Sequence, residues 1–564
     1  MTDLFDEASL SEYEISNYEY SDEETEYIEK RDETRKKRAR KDLMTPRLAT
    51  VLDRSKLSER DTVHLLNAVL ESVNIDPADY VINRESVRKL RNMSREKVAK
   101  SIKENFLNMD LEAVTIHWDG KMLSNIDSSG SDSAVERLAV VVSASGIEKL
   151  LAVPKLSSST GAQMSSAVYN VLEEWNLLEI VQAFSFDTTA SNTGRLQGAC
   201  LLLERELKRD ILYLGCRHHI AEIILSAVFK TYFSSSGPDI ALFKRFKDEW
   251  LNMKIDAYEN GLDDFKNLFG TTDQNFVEIT EFCSKRVAEK WFREDYKEFL
   301  ELVLLFLGSD EKFSIRRPGA FHHARWMSKA IYSLKMYLFR SQFKLTEFEK
   351  SAILQINAFI IKCYITHWFV AHRAEKAPLA DLKLLRALHN YPNKKVSEIA
   401  CKKIVHHLYY FSEECVMFSL WDDDVSSKTK SLIAKKITSH NFDDDEGSDG
   451  SEEDGSKTET RKKYDLKIKD IAAFLRADNE RILLDLVTHK SQHFFKRFCI
   501  PMDFLEREQS EWEHCADFLK GKDVVRNLKV TNDAAERGIK LLSDYNQSIT
   551  KDHKQQTYLL QVIS

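Results

Sequence analysis

Val114-Thr-Ile-His-Trp-Asp119-Gly and Ile180-Val-Gln-Ala-Phe-Ser-Phe-Asp187 are the two stretches on which the fold turns. Each is a short run rich in apolar, β-branched and aromatic residues, the composition of a buried strand, and each ends on an aspartate. Between and after them the pattern alternates. Strands are expected at 113–118, 137–143, 149–153, 180–186 and 211–214, and helices at 162–175, 194–208 and 219–229. Ser128-Ser-Gly-Ser-Asp-Ser133 reads as a loop between the first two strands. Three successive strands followed by helix–strand alternation predict a mixed sheet, an antiparallel meander continued by parallel crossovers. A third acid, Glu536, lies far downstream in Thr531-Asn-Asp-Ala-Ala-Glu536-Arg-Gly-Ile, a helical pattern with Ala534, Ala535, Ile539, Leu541 and Leu542 on one apolar side. Carboxylates at the ends of neighbouring strands can converge, and converging carboxylates are hard oxygen ligands suited to Mg²⁺ or Mn²⁺.

The chain has 564 residues, 43% of them hydrophobic, enough for two or three domains with sizeable cores. No apolar run approaches the roughly 20 residues of a membrane span, and the N-terminus lacks the basic and apolar regions of a secretory signal. The 8 cysteines are scattered without a CxxC pair, which suits a reducing compartment. A soluble intracellular protein is expected. The net charge of −8 conceals a basic body: residues 1–29 hold eleven acidic and no basic side chains, residues 441–456 hold eight and none, and the remainder carries +11. Such a body can attract a phosphate backbone. Acidic tracts of this kind are also ordinary solvated tails.

Residues 1–43 read as an acidic and then basic tail. Its cluster Arg35, Lys36, Lys37, Arg38, Arg40 and Lys41 has the form of a nuclear-import or phosphate-binding signal. Residues 44–110 read as a helical module, either touching DNA or merely presenting a basic face to solvent. Residues 111–230 form the first part of the α/β core. Residues 231–522 read as a helical insertion with an acidic loop at 440–462, and 523–564 as the helix that completes the core.

The strand order and the acids at its first and fourth strands resemble the ribonuclease-H-like fold of DDE/DDD transposases and retroviral integrases. The long helical block between Asp187 and Glu536, 349 residues apart, is similar to the architecture of hAT-superfamily transposases. Further short motifs carry this resemblance. Asp187-Thr-Thr-Ala-Ser-Asn192 is similar to that family's Asp-Asn-Ala-x-Asn turn, Cys216-Arg-His-His219 to its Cys-x-x-His, Arg325-Trp326 to its Arg-Trp, and Ala535-Glu536-Arg537 to the segment of its catalytic glutamate. The match covers roughly residues 111–230 and 316–330 and the segment around 536.

The resemblance implies a metal-binding catalytic triad of Asp119, Asp187 and Glu536 holding two Mg²⁺ or Mn²⁺ ions, strand cleavage and transfer on DNA, and a nuclear location. Arg325, Trp326 and His219 would contact DNA, Trp326 by stacking on an unpaired base and Arg325 by holding a phosphate. Membrane association is not expected, and self-association is left open. Each residue also has a plainer reading: Asp187 as a helix cap, Asp119 as a turn residue, Glu536 on a solvent face, Trp326 in a core. Cys216 and His219 supply half a zinc site with no second pair, which favours a structural role. Two departures stand out. The first 110 residues contain no cysteine for the zinc-binding BED finger that often opens such proteins, and Ser564 follows soon after Glu536, where the family usually runs on. A DNA-binding protein derived from a transposase but without catalysis, and a helical protein-interaction module, are the alternative functions.

Overall fold

The computed structural model describes residues 41–126, 132–144, 146–234, 240–270, 274–289, 293–319, 327–439, 471–545 and 552–563. The expected acidic tracts, the basic residues Arg35 to Arg40, the 440–462 loop, the tip at 128–131, and Arg325 with Trp326 lie outside them, as does the side chain of Glu536.

The protein is mixed α/β with one mixed sheet. Its strands are β1 (Val114–Ile126), β2 (Asp132–Ala144), β3 (Ile147–Ala152), the two-residue β4 (Lys155–Leu156), β5 (Val181–Phe186) and β6 (Leu212–Gly215), in the order β3-β2-β1-β5-β6, with β4 paired to β2. β2 is antiparallel to β1 and β3, whereas β5 and β6 run parallel to β1. The meander and the crossovers are thus where the strand patterns put them.

Two local expectations need correction. Asp119 does not end its strand. β1 continues to Ile126 because β2 supplies hydrogen-bond partners along its whole length, to the pair Ile126↔Asp132. What ends before Asp119 is the parallel ladder to β5, at Trp118↔Phe186. The helix expected from 194 instead begins at Ala199. A Cβ on Gly198 would stand 2.4 Å from the nitrogen of Gly194, so Gly194–Gly198 folds as a close turn that separates α5 (Ala190–Thr193) from α6 (Ala199–Leu207).

The helical module consists of α1 (Pro46–Arg54), α2 (Glu59–Ser72) and α3 (Arg84–Leu107). Its basic character is only partly a surface property. Arg91 and Arg95 are buried, and both bind the buried carboxylate of Asp53: Arg91 Nε donates to Oδ1 at 2.7 Å, and Arg95 Nε and Nη2 donate at 2.6 and 2.7 Å. Two cations around one anion in a dry interior are tolerable only because the remaining donors also find acceptors, as Arg91 Nη1 does at the Leu57 carbonyl, 3.0 Å away.

One sheet face belongs to the main core. Ile116, Trp118, Leu138, Val140 and Val142 pack there with α4 (Gly161–Glu174) and with the helices that fill residues 241–497. The other face presents Ala139, Val141, Leu150 and Val153 to the two last helices, Asp533–Tyr545 and His553–Ile563, through Ala534, Ala535 and Leu560. Glu347–Val370, α-helical except for a π turn at Ile360–Tyr364, is long and apolar enough to cross a membrane, contrary to the reading of the sequence. Its most apolar window is 72% buried inside the protein, which suits a core helix.

Candidate functional site

The three parallel strands β1, β5 and β6 reach the same edge of the sheet. Past the last ladder pair Trp118↔Phe186, the next residues are Asp119 and Asp187, on adjacent strands whose spacing is about 4.8 Å. Cys216 follows β6, and its N–H donates to the Phe186 carbonyl at 2.9 Å. The carboxyl ends of parallel strands are where open α/β sheets bind ligands.

Asp187 is fixed by the turn that follows it. Its Oδ1 accepts from the Thr189 hydroxyl at 2.8 Å and from the Asn192 amide. Asn192 in turn accepts from the buried indole of Trp118 at 2.8 Å. The turn therefore anchors Asp187 to β1. All these bonds fall on one carboxylate oxygen, and Oδ2 receives none among the described residues. Asp119 is buried beside it. His117, two residues earlier on β1, is fully buried, with Nε2 2.7 Å from the Ser143 hydroxyl. Desolvation, helped by the positive charges of Lys529 and Arg537, pushes its pKa down to about 3, so it is neutral.

The chain returns to this edge after its long helical excursion, in the segment Leu528–Asp533. Arg217 N–H donates to the Val530 carbonyl at 3.0 Å. Asn532 N–H donates to the Cys216 sulfur at 3.2 Å, and the Asn532 amide donates to the Trp118 carbonyl at 2.8 Å. His218 Nδ1 lies 3.3 Å from Asp533 Oδ1, while His218 Nε2 reaches the Trp368 carbonyl and its ring stacks on the Trp368 indole with centroids 4.0 Å apart. Desolvation pushes the Asp533 carboxyl up, but His218, Arg293 and the Thr531 hydroxyl outweigh it, and the carboxyl is held down to about 2.

Cys216, Arg217 and His218 thus work as a clasp, each gripping something different. Burial pushes the Cys216 thiol far up, so it stays protonated and serves as an acceptor rather than a thiolate ligand. The buried Arg217 side chain binds Asp381 and the carbonyls of Val370 and Ala371 in the helical region. The bonds to Asp533 and Trp368 come from His218, and His219 is its half-buried neighbour.

The clasp positions the helix Asp533–Tyr545 that carries Glu536. Gly538, half a turn further on, faces β2 so closely that an added Cβ would stand 3.2 Å from Ala139 Cβ and 3.2 Å from Leu150 Cδ1. Ala139 is the ladder partner of Asp119. The backbone bearing the third acid therefore runs beside the first. Gly538→Val should lever the helix away and lower stability by roughly 1–3 kcal/mol; a thermal denaturation midpoint equal to that of the parent would contradict this contact.

Among the described residues no group of three His, Cys, Asp or Glu stands close enough to hold a metal ion. Asp119 and Asp187 are brought together at one edge, Glu536 comes to it by backbone, and Arg325 and Trp326 lie outside the described residues. The residue that follows them, Met327, is held by its N–H on Glu222 Oε1 at 2.8 Å, an oxygen that the Tyr364 hydroxyl also binds. Sequence reading missed Asn532, Asp533, His117 and Asn192. Only the motif residue Asn192 carried any signal; Asn532 and Asp533 take their roles from partners hundreds of positions away, and His117 from Ser143 on the neighbouring strand. No protein-family model and no curated protein matches this chain.

Proposed function

We propose that this protein is a metal-dependent DNA strand-transferase of the hAT type, on a ribonuclease-H-like core, or a nuclear protein derived from one. The observation that carries this reading is the return of the chain. A segment more than 300 residues beyond Asp187 is bonded to Trp118, where the parallel ladder of β1 with β5 ends, and to Cys216 just after β6, and its helix lies against the ladder partner of Asp119. A structural helix has no need of that one edge. The antiparallel meander β3-β2-β1 continued by the parallel strands β5 and β6 supports the reading.

The residues present fit a hard divalent cation. The carboxylates offer oxygen only, and among the described residues one Asp187 oxygen has no hydrogen bond and the buried Thr188 hydroxyl next to it has no partner. Asp119, Asp187 and Glu536 would hold the ions. A bound pair of such ions supplies the charge that activates a water or a DNA hydroxyl and stabilises the leaving oxygen. The chain itself does the positioning. Asn192 and Thr189 fix the rotamer of Asp187, the Asn532 bond to Trp118 keeps the return helix against β1, and neutral His117 adds no competing positive charge. The basic body supplies affinity for the phosphate backbone that falls steeply with salt, and the cluster Arg35–Lys41 supplies nuclear import.

The test is nicking of supercoiled DNA with Mn²⁺. The parent should nick, and Asp187→Asn should lose at least about 100-fold in rate, as expected when a ligand of the catalytic ions is removed. Equal rates would dismiss the reading. Salt-sensitive DNA binding without nicking by the parent would point instead to the non-catalytic DNA-binding protein.

A further inference from the structure

The hydrogen-bond pattern of Asn532 places it more narrowly than its two partners do singly. In the sheet, β5 lies between β1 and β6. A residue bonded to the Trp118 carbonyl on β1 and to the Cys216 sulfur after β6 spans two strand spacings, and so crosses directly over the end of β5, where Asp187 stands. Asn532 is about nineteen-twentieths buried, with 6% of its surface exposed. Its amide orientation follows from chemistry: the Trp118 carbonyl can only accept, so the nitrogen must face it and the oxygen must face elsewhere. That oxygen is buried and has no hydrogen-bond donor among the described residues.

A buried amide oxygen left without a partner forfeits the hydration that it had in the unfolded chain. Its position at the start of the helix Asp533–Tyr545 offers the obvious remedy, capping the first N–H groups of that helix, yet no such bond forms. The oxygen has been withheld from its own helix, on a residue tied to the two strands that flank the end of β5, the strand that leads into Asp187. The only groups that satisfy a carbonyl oxygen in that setting are a donor or a cation, and the neighbouring acids attract the cation.

We infer that the Asn532 carboxamide oxygen is an additional, neutral ligand of a divalent cation held by Asp119 and Asp187. This rests on the proposed function and deepens it. An amide oxygen is a hard donor that adds coordination without adding negative charge to a site already rich in carboxylates.

The experiment is Mn²⁺ binding by the full chain, read by the loss of the free-ion electron paramagnetic resonance signal, with circular dichroism as the control for folding. The parent should bind and Asp187→Asn should not. Asn532→Ala should weaken Mn²⁺ affinity about 10-fold or more, in the range found for lost supporting groups at metal sites. Asn532→Asp should bind at least as tightly as the parent. Both variants lose the bond to the Trp118 carbonyl, so a merely structural role would weaken them alike. Parent-like affinity in Asn532→Ala, or equal weakening in both variants, would overturn the inference while leaving the proposed function standing. Binding unaffected by Asp187→Asn, or no binding by the parent, would overturn both.

Discussion

Asp381→Ala should destabilise the protein by about 3–5 kcal/mol, the usual cost of removing one partner of a buried ion pair. Arg217 is entirely buried. Its Nε and Nη2 donate to Asp381 Oδ1 at 2.9 and 2.6 Å, and its Nη1 donates to the carbonyls of Val370 and Ala371 at 3.2 and 2.9 Å. Without the carboxylate the guanidinium remains in the interior with only carbonyls to balance its charge, because the Arg217 main chain is held by Val530 and cannot swing outward. The pair joins the sheet edge to the helical region, so its loss should also loosen the clasp on Asn532 and Asp533. Urea denaturation measures the effect. The double variant Arg217→Met with Asp381→Leu should recover most of the loss, because an apolar pair of similar volume carries no desolvation cost. A loss below about 1 kcal/mol in the single variant would mean that water reaches this pair.

Acid should weaken the fold through its buried histidines before the surface carboxylates titrate. His117 is held down to about 3 by desolvation, with Lys529 and Arg537 adding to it. His367 is pushed well below the ordinary histidine value, again by desolvation first and then by Arg217 and His218. Each binds a proton more readily in the unfolded chain, whose histidine pKa is about 6.5. Their contribution is fully present above that value and is lost as pH falls toward the folded pKa, at about 1.4 kcal/mol per pH unit for each group. At pH 5 that amounts to roughly 2 kcal/mol for His117. Buried carboxyls whose pKa is raised by desolvation, such as Glu222, act in the opposite direction, so the measurement is a difference between variants. His117→Gln does not titrate and should lose about 2 kcal/mol less than the parent between pH 7 and pH 5, read by denaturant unfolding at each pH. Parallel pH profiles would show that His117 is solvated.

The two strand patterns ending in Asp119 and Asp187 were legible because alternation and β-branching are local signals, and the meander followed from the order of strands. The helical character of residues 46–107 was equally legible. The fate of its arginines was not: Arg91 and Arg95 look like a basic surface until Asp53 is found between them. The same limit applied to Asp119, whose strand runs on past the expected end because β2 stays paired to it, a property of the partner rather than of the run itself. Cys216 illustrates the reverse case. Its motif was readable, yet its role as acceptor for Asn532 depends on a residue 316 positions later.

The amino-acid sequence alone determined where the main strands and helices lie, the basic balance of the body, and the presence of acids just after the paired runs of β1 and β5. These follow from periodicity and composition, which need only a few neighbouring residues. Tertiary structure alone decided that the chain comes back to the end of β1, that Asn532 crosses above Asp187 with its oxygen unsatisfied, and that Arg217 ties this edge to the helical region. Those outcomes depend on which buried surfaces and polar groups find each other across hundreds of residues, and no local pattern encodes that choice.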